Sequence, residues 1–252
     1  MNNEFSQTSF TIEITADGSP TLKLPGEGES MHYSGGAATE TDFIYKAVIE
    51  DCLKIWPEAE VAILGLGLGY IEISWALVAL KLGLAKTRFV SFETEEILKE
   101  KFLNWLYSKN VNAGQQESHV NIYDQICHFM HSESDMAAIK KRIIESLSAV
   151  PLKGNLKSQF DKNKSYNLIC YDAYSTKTSG ELWSEEFLDD FLEKSCHENC
   201  VVTSYACTGI LKRALKKHNF TLLDRRRFRS SKDSTLAVRG VFKSAALTFR
   251  TS

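Results

Sequence analysis

From residue 60 onward, short apolar runs alternate with longer runs in which apolar residues recur with a helical period. The short runs, typical of buried strands, are EVAILG from Glu60, TRFVSFE from Thr87, YNLICYDA from Tyr166, NCVVTSY from Asn199, FTLLDRR from Phe220 and LAVRGVF from Leu236. The runs of helical period are YIEISWALVALKLG from Tyr70, TEEILKEKFLNWLYS from Thr94, SDMAAIKKRIIESLSAV from Ser134, SEEFLDDFLEKS from Ser184 and TGILKRALKKH from Thr208. This alternation predicts βαβ units, and hence an α/β fold with a mainly parallel sheet covered by helices on both faces.

The two ends of the chain depart from this alternation. The segment FTIEITADGSPTLKLPG, residues 10–26, alternates around Asp17-Gly18-Ser19-Pro20 and predicts a β-hairpin. Near the other end, TLLDRR and LAVRGVF are separated only by the polar FRSSKDS, which predicts a late antiparallel strand. Methyltransferase folds of the Rossmann-like type have such a strand, whereas dinucleotide dehydrogenases usually lack it. We predict a hairpin-and-helix extension over residues 1–58 and one Rossmann-like domain over residues 59–252.

Composition and charge narrow the function classes. The 252 residues are 43% hydrophobic with a net charge of −2, which suits an ordinary globular core. No early apolar run is long enough for a signal peptide or a membrane span, so we expect a cytoplasmic protein without membrane contact. Six cysteines without CxxC pairs predict free thiols and no metal site.

Residues 212–232 are dense in Lys and Arg, which indicates either a nucleic-acid contact or a solvated helix face.

A glycine loop follows the first strand of the domain in the sequence VAILGLGLGY. Gly65, Gly67 and Gly69 open a helix, so backbone amides there can approach a ligand closely. A dinucleotide site would require the last glycine at position 70, which is Tyr70, so the spacing favours S-adenosylmethionine, which has no phosphate. Glu93 ends the next strand, where its carboxylate can bind a ribose diol. The alternative is that the glycines only allow close helix–strand packing and that Glu93 is a solvated strand end.

Asp172 lies at the carboxyl end of the strand YNLICYDA, where open α/β sheets bind their ligands. Aromatic rings beside it, including that of Tyr174, suit a site for a sulfonium donor. The alternative is that Asp172 caps the next helix. Trp183 precedes the N-cap Ser184 and is either a packing anchor or a stacking platform for a base.

Five segments resemble, in order, the blocks of the MnmC-like methyltransferase domain, the family of bacterial tRNA 5-methylaminomethyl-2-thiouridine methyltransferases. They read TADGSPTL, GESMHYSGGAATET, GLGLGY, YDAYSTKTSGELWSEEF and TSYACTGILKRALKKHNF. The resemblance implies a seven-stranded Rossmann-like fold and S-adenosylmethionine as cofactor. It also implies tRNA as partner, methylated on the aminomethyl group of the wobble uridine. In two-domain members a flavin-dependent oxidoreductase domain follows. Because this chain ends at Ser252, we expect a stand-alone methyltransferase without FAD.

The resemblance also implies roles for individual residues. The donor loop falls on Gly65, Gly67 and Gly69, the ribose acid on Glu93 and the active-site acid on Asp172. The HYSGGAATE block is expected near the cofactor's amino-acid end or the substrate mouth, unless it is only a structural turn; its residues of interest are His32, Tyr33, Ser34, Gly35, Gly36 and Glu40. We count Tyr33 and Glu40 among the cofactor-binding residues. The residues expected to contact the substrate are Tyr174, Trp183, Arg225, Arg226 and Arg227.

The glycine loop departs from the family pattern, in which an acid precedes GFGTGLN. Ile63 holds the position of that acid, Leu68 that of the threonine, and Tyr70-Ile71 replaces the Leu-Asn pair. Either Glu40 or Glu72 supplies the missing polar contacts, or the donor binds weakly or not at all. Two other functions stay open, an aminopropyltransferase-like enzyme, although its GGGDG loop is missing, and a non-catalytic RNA-binding or scaffold module.

An aspartate titrates near pH 4 and an alkylamine near pH 10, so from sequence we expect Asp172 to orient the acceptor amine and to be a poor base. No feature of the sequence sets the oligomeric state.

Overall fold

The computed structural model describes residues 10–24, 29–108, 121–130, 135–161, 164–175, 179–225 and 233–240. The chain begins with an antiparallel hairpin of β1 (Thr11–Ile14) and β2 (Pro20–Lys23), in register with Thr11 opposite Lys23. The predicted N-terminal hairpin is therefore confirmed. Its inward-facing Leu22 is fully buried in the same hydrophobic core as the helices of the main domain.

One continuous helix follows the hairpin. It consists of α1 (Ala37–Thr41), a π-helical turn (Asp42–Lys46) and α2 (Ala47–Ile55). The hairpin turn fixes the start of this helix, because the Asp17 carboxylate accepts hydrogen bonds from the amide and hydroxyl of Thr39, at 3.1 and 3.0 Å. Asp17 also accepts from Thr15 Oγ1 at 2.8 Å and from the Ser19 amide at 3.0 Å. The TADGSP and SGGAATE segments of the sequence are thus one structural unit.

The main domain is built on a six-stranded sheet. Its strands are β3 (Glu60–Leu64), β4 (Arg88–Phe92), β5 (Tyr166–Tyr171), β6 (Cys196–Ser204), β7 (Thr221–Leu222) and β8 (Thr235–Arg239). The spatial order is β4-β3-β5-β6-β8-β7, with β4, β3, β5 and β6 parallel and β8 antiparallel to both of its neighbours. The predicted mainly parallel sheet with a C-terminal antiparallel strand is confirmed.

The family resemblance implies seven strands, whereas the described residues form six in this sheet. At the outer edge of β4, the position of a further strand, Lys153 alone makes a parallel bridge to Phe92. Its amide donates to the Ser91 carbonyl, and the Glu93 amide donates to the Lys153 carbonyl, both at 2.9 Å. Pro151 lacks an amide hydrogen and Gly154 lacks a side chain, which disfavours a longer strand at this edge.

Helices cover both faces of the sheet, as the apolar pattern predicts. They are α3 (Tyr70–Lys81), α4 (Glu96–Tyr107), α5 (Ile122–Phe129), α6 (Met136–Ala149), α7 (Leu156–Gln159), α8 (Glu185–Ser195) and α9 (Gly209–Lys217). In β3, Val61 and Ile63 face the core under α2, α3 and α6, while Ala62 and Leu64 face the core under α8 and α9. The short helices α5 and α7 were not predicted. No helix within the described ranges is long and apolar enough to cross a membrane.

Glu72, in the first turn of α3, is a charged residue that the fold buries completely. Its Oε1 accepts a hydrogen bond from Ser91 Oγ at 2.6 Å, and Oε2 has no partner in the described part of the chain. Burial raises the pKa of Glu72 to about 8 in spite of the Ser91 hydrogen bond. A carboxyl group in this state makes the folded protein less stable once the pH exceeds the pKa of the unfolded chain.

We predict that Asp17→Asn loosens the clamp between hairpin and helix. Burial opposes the charge of Asp17, but hydrogen bonds from Ser19, Thr15 and Thr39 outweigh it and lower the pKa to about 2. The carboxylate therefore stabilises the fold at neutral pH by about 2 kcal/mol, and this contribution is lost as the pH falls from about 4 to about 2. Urea unfolding across this range measures it. A destabilisation by Asp17→Asn that does not shrink with falling pH would contradict the clamp.

We predict the opposite pH dependence for Glu72→Gln. Because the folded-state pKa of Glu72 is raised, the wild-type protein loses stability as the pH rises from about 4 to about 8. The glutamine variant should be more stable at about pH 8, by on the order of 3 kcal/mol, and no more stable near pH 4. Urea unfolding at both pH values tests this. Equal stability of the two proteins at pH 8 would show that Glu72 does not carry a buried charge.

Candidate functional site

A cleft opens where the carboxyl ends of β3, β4, β5 and β6 meet, with residues 29–33 and the π-helical turn on its other side. Its acidic lining residues are Glu29, Glu40, Glu93, Asp172 and Asp233. Among the described residues that line the cleft there is neither Lys nor Arg. This excess of carboxylates favours cationic ligands over anionic ones. Within the described ranges, no group of His, Cys, Asp and Glu side chains is arranged to hold a metal ion.

The three loop glycines have different tasks. All adopt positive φ angles, of 108° at Gly65, 51° at Gly67 and 70° at Gly69. A Cβ on Gly65 would lie 2.5 Å from the carbonyl oxygen of Asp172, and one on Gly69 would lie 2.4 Å from the ring of Phe102. These two glycines therefore allow close packing, the alternative that the sequence left open, and Gly65 lines the cleft as well.

Gly67 also lines the cleft, and the backbone around it leaves room for a ligand. A Cβ at this position would meet only the sulfur of Met31, at 3.6 Å. The Gly67 amide donates to Glu93 Oε2 at 3.0 Å, which links the loop to the acid at the end of β4. The loop and the acid that the sequence assigned to one ligand are therefore directly joined.

Glu93 is only 4% exposed and lies at the predicted place. Its Oε1 accepts from the Glu95 amide at 2.9 Å. Burial raises the pKa of Glu93, although the amides of Glu95 and Gly67 favour its ionised form. Carboxylate oxygens have further lone pairs, so Glu93 can also accept hydrogen bonds from the hydroxyls of a ribose.

Asp172 follows β5 and is held from two sides. Its amide donates to the Leu64 carbonyl at 2.9 Å, and its Oδ1 accepts a hydrogen bond of 2.5 Å from the Tyr45 hydroxyl. Burial, together with the charges of Glu40 and Glu93, raises its pKa to about 8, although the Tyr45 hydrogen bond lowers it. The sequence argument that Asp172 titrates near pH 4 is therefore wrong, because it could not include burial among other carboxylates. At this pKa, Asp172 can exchange a proton within about one unit of neutral pH.

The HYSGGAATE block contributes one wall of the cleft. Glu40 Oε2 accepts from the Tyr33 amide at 2.8 Å, and both residues line the cleft. His32 lies beside them, with Nδ1 2.9 Å from Thr21 Oγ1 and its ring edge-on to Tyr70 at 4.8 Å. Burial lowers the pKa of His32 to about 4, so its ring is neutral at neutral pH.

The departures in the glycine loop leave apolar groups where the family has polar ones. Ile63 is fully buried in β3, and Leu68 lines the cleft with 1% of its surface exposed. Of the two acids considered as replacements, Glu40 lines the cleft, whereas Glu72 lies beneath the loop and is not part of the lining. The structure therefore favours Glu40 as the compensating group.

Two aromatic residues predicted to contact the substrate lie on the far side of Asp172. Tyr174 lines the cleft, and within the described ranges its buried hydroxyl has no hydrogen-bond partner. Trp183 is 2% exposed, donates from Nε1 to the Tyr174 carbonyl at 2.6 Å and packs edge-on against Tyr171 at 5.0 Å. Of the two roles considered for Trp183, this placement favours the packing anchor.

The basic segment divides into parts with different surroundings. Arg225 is partly buried and donates to the carbonyls of Phe43 and Ile44, at 2.7 and 2.9 Å. Arg226 and Arg227, the other two arginines predicted to contact the substrate, lie outside the described residues. On α9, Arg213 pairs with Glu185 of α8 and Lys217 pairs with Asp189 of α8, each at 2.5 Å, and His218 Nε2 lies 2.6 Å from Asp189 Oδ1.

Comparisons with known proteins agree with this geometry. Residues 117–240, slightly less than half of the chain, match the family model described as S-adenosyl-L-methionine-dependent methyltransferase. An uncharacterized protein of Methanocaldococcus jannaschii is 24% identical over 253 residues, which cover 94% of this chain but only 61% of that protein. The chain thus spans less than two thirds of the length of this curated relative.

Among solved structures, MnmC2 from Aquifex aeolicus has a similar fold. The TM-score is 0.63 with 20% sequence identity, over 96% of this chain and 75% of that chain. The expected fold is confirmed, and the description of the family model that matches residues 117–240 agrees with the expected cofactor class. Residues 117–240 thus match the S-adenosyl-L-methionine-dependent methyltransferase family model, and the chain shares the fold of MnmC2.

Proposed function

We propose that the protein methylates the aminomethyl group on the wobble uridine of tRNA, converting 5-aminomethyl-uridine to 5-methylaminomethyl-uridine. The observation that carries this proposal is the acidic lining of the cleft, which has five acidic residues and, within the described part, no Lys or Arg. Both the sulfonium donor and an alkylamine acceptor carry positive charge. The resemblance to the MnmC-like family and the likeness to MnmC2 support the tRNA substrate.

The donor side of the cleft fits S-adenosylmethionine. Gly67 leaves space that a Cβ would partly fill, Glu93 can accept the ribose hydroxyls, and Glu40 can accept hydrogen bonds from an ammonium group. When bound, this cofactor supplies an electrophilic methyl group on a sulfonium. The residues of the chain hold it by shape and charge, with Leu66 and Leu68 excluding water from the loop side.

On the acceptor side, Asp172 has two tasks. Its carboxylate accepts an N–H hydrogen bond from the substrate amine, which orients the nitrogen lone pair toward the donor. It also accepts the proton that the amine must lose, because a pKa of about 8 lies far closer to that of an alkylamine, near 10, than the usual value near 4 does. Positioning of the two reactants provides much of the rate enhancement.

We propose that residues 1–58 are an extension that closes the cleft of the domain at 59–252, since Glu40 and Tyr45 reach the cleft from it. For tRNA, we propose Arg226 and Arg227 as phosphate contacts and Tyr174 as a contact for the uridine. We further propose a cytoplasmic location, in keeping with a tRNA substrate.

We predict that Asp172→Asn binds the donor but loses turnover. The wild-type protein, incubated with methyl-labelled S-adenosylmethionine and bulk tRNA from cells lacking the modification, should label the wobble nucleoside on its amine nitrogen. Loss of the proton acceptor should lower the rate by about 10²-fold or more. Calorimetry with the donor is the control, and the heats should match those of the wild type.

The outcomes separate the competing functions. Full activity of Asp172→Asn would exclude the proposed role of this residue. If the protein binds the donor and labels a small polyamine but not tRNA, the substrate is a polyamine and the tRNA proposal is wrong. No heat at millimolar donor would favour the non-catalytic RNA-binding module.

We predict that the double variant Arg226→Ala, Arg227→Ala weakens tRNA binding and reduces its salt dependence. If both side chains contact phosphates, the slope of log K against log salt should become shallower by about 1.4 to 1.8. The matched control is Arg213→Ala, Lys217→Ala, which removes two cations that already pair with acids on α8. Identical salt slopes for the two double variants would contradict the assignment.

A further inference from the structure

We infer that Tyr45 is a positioning residue for Asp172, placed there by a π-helical turn that Arg225 and Thr203 brace. The role in turnover rests on the proposed function, whereas the arrangement itself concerns only residues of this chain. Tyr45 lies in the N-terminal extension and Asp172 at the end of β5, so the contact joins two segments 127 residues apart in sequence.

The hydrogen bonds around the Tyr45 hydroxyl fix its orientation. The hydroxyl oxygen accepts from the Tyr205 amide at 3.2 Å, and an amide N–H can only donate. The hydroxyl proton is therefore directed to Asp172 Oδ1, 2.5 Å away. Tyr45 is 3% exposed, so water does not compete for this bond. Within the described part of the chain, Asp172 Oδ2 makes no hydrogen bond, and it is the oxygen available to a substrate amine.

The π-helical turn sets where Tyr45 points. The Ala47 amide donates to the carbonyl of Asp42, five residues earlier, instead of the four of an α-helix. One extra residue in a turn shifts the following face by about 100°. Tyr45 sits inside this widened turn and faces the end of β5.

Side chains from β6 and from the segment after β7 bind the carbonyls of this turn. In an α-helix, the carbonyls of Phe43 and Ile44 would accept from the amides four residues later. Here the Arg225 guanidinium donates to both, at 2.7 and 2.9 Å, and Thr203 Oγ1 donates to the Ile44 carbonyl at 2.7 Å. The guanidinium also stacks over the Phe43 ring at 4.9 Å. These contacts give the carbonyls of the π-helical turn side-chain donors from Arg225 and Thr203, which stabilises the turn.

The Tyr45 hydrogen bond opposes the other influences on Asp172. The titratable groups that interact electrostatically with Asp172 are Glu40, Glu72, Glu93, Cys170, Tyr45, Tyr174 and Tyr205. Burial and the charges of Glu40 and Glu93 raise the pKa of Asp172, and the Tyr45 hydrogen bond lowers it. Removal of the Tyr45 hydroxyl therefore raises the pKa of Asp172 further and leaves less carboxylate at neutral pH.

We predict that Tyr45→Phe shifts the pH dependence of turnover. The acidic limb of the kcat profile should move upward by about one pH unit, with kcat several-fold lower at neutral pH and recovering at alkaline pH. KM for the donor should not change. The matched control is Tyr171→Phe, which removes a buried hydroxyl from the same strand end that donates to the Leu182 carbonyl. Its pH profile should match that of the wild type.

A second readout does not require activity. The infrared difference between wild type and Asp172→Asn isolates the carboxyl band of Asp172, and its pH midpoint should be higher in Tyr45→Phe than in Tyr171→Phe. If the wild type transfers no methyl group, the proposed function fails and this titration still decides the role of Tyr45. An unchanged midpoint, or a loss of kcat that is equal at every pH, would overturn the inference.

Arg225→Lys provides a second variant if Tyr45→Phe does not fold. Lysine keeps the positive charge, but it lacks the fork that serves both carbonyls at once. The Asp172 midpoint should move in the same direction as in Tyr45→Phe, by a smaller amount. A midpoint identical to that of the wild type would show that the turn does not depend on this brace, and would overturn that part of the inference.

Discussion

The hydrogen bond from Tyr45 to Asp172 is the interaction on which the cleft depends, because it fastens the N-terminal extension to the end of the central strand. The extension would otherwise meet the sheet mainly through apolar packing, which does not fix the position of a polar atom. Three further polar contacts lie along the same seam. Arg225 and Thr203 hold the carbonyls of the π-helical turn, and the Tyr70 hydroxyl donates to the Pro20 carbonyl at 2.7 Å. Together these contacts fix the positions of Asp172, the glycine loop and the wall of the cleft relative to one another.

The cleft is electrostatically unfavourable when nothing cationic is near it. Asp172 and Glu93 are largely removed from water, and the charge of Glu93 raises the pKa of Asp172. Such an arrangement lowers the stability of the folded protein at neutral pH. A positively charged ligand reverses the balance, because it is attracted by the same field. The acidic lining of the cleft therefore favours the binding of a cation.

Much of the fold follows from the sequence pattern. The apolar run from Val61 to Leu64 predicts a strand that is buried on both faces, as β3 is. The helical period that begins at Tyr70 predicts α3 to within two residues of its observed end. Glu93 and Asp172 could be assigned to one site because parallel strands bring their carboxyl ends to the same edge of the sheet. The resemblance implies a seventh strand, but the apolar pattern of the sequence does not predict one beside β4. In the described part of the chain, only Lys153 forms a bridge at that edge of the sheet.

The roles of the remaining site residues could not be predicted from the sequence, for physical reasons. Tyr45 lies within an amphipathic helix, where its apolar neighbours predict a core position, and nothing in the pattern signals a π-helical turn. Arg225 belongs to a run of cations, and a run of charges does not show which member is buried against carbonyls. The pKa of Asp172 depends on how many carboxylates the fold gathers around it, which only the tertiary structure shows.

The central claim is that this acidic cleft holds the methyl donor with its reactive carbon facing Asp172. A crystal structure of the protein with S-adenosylmethionine tests it most directly. We expect the ribose hydroxyls on Glu93, the amino-acid end near Glu40 and the sulfonium methyl directed at the space beside Asp172 and Tyr45. A donor bound elsewhere, or one whose methyl group points away from Asp172, would contradict the account.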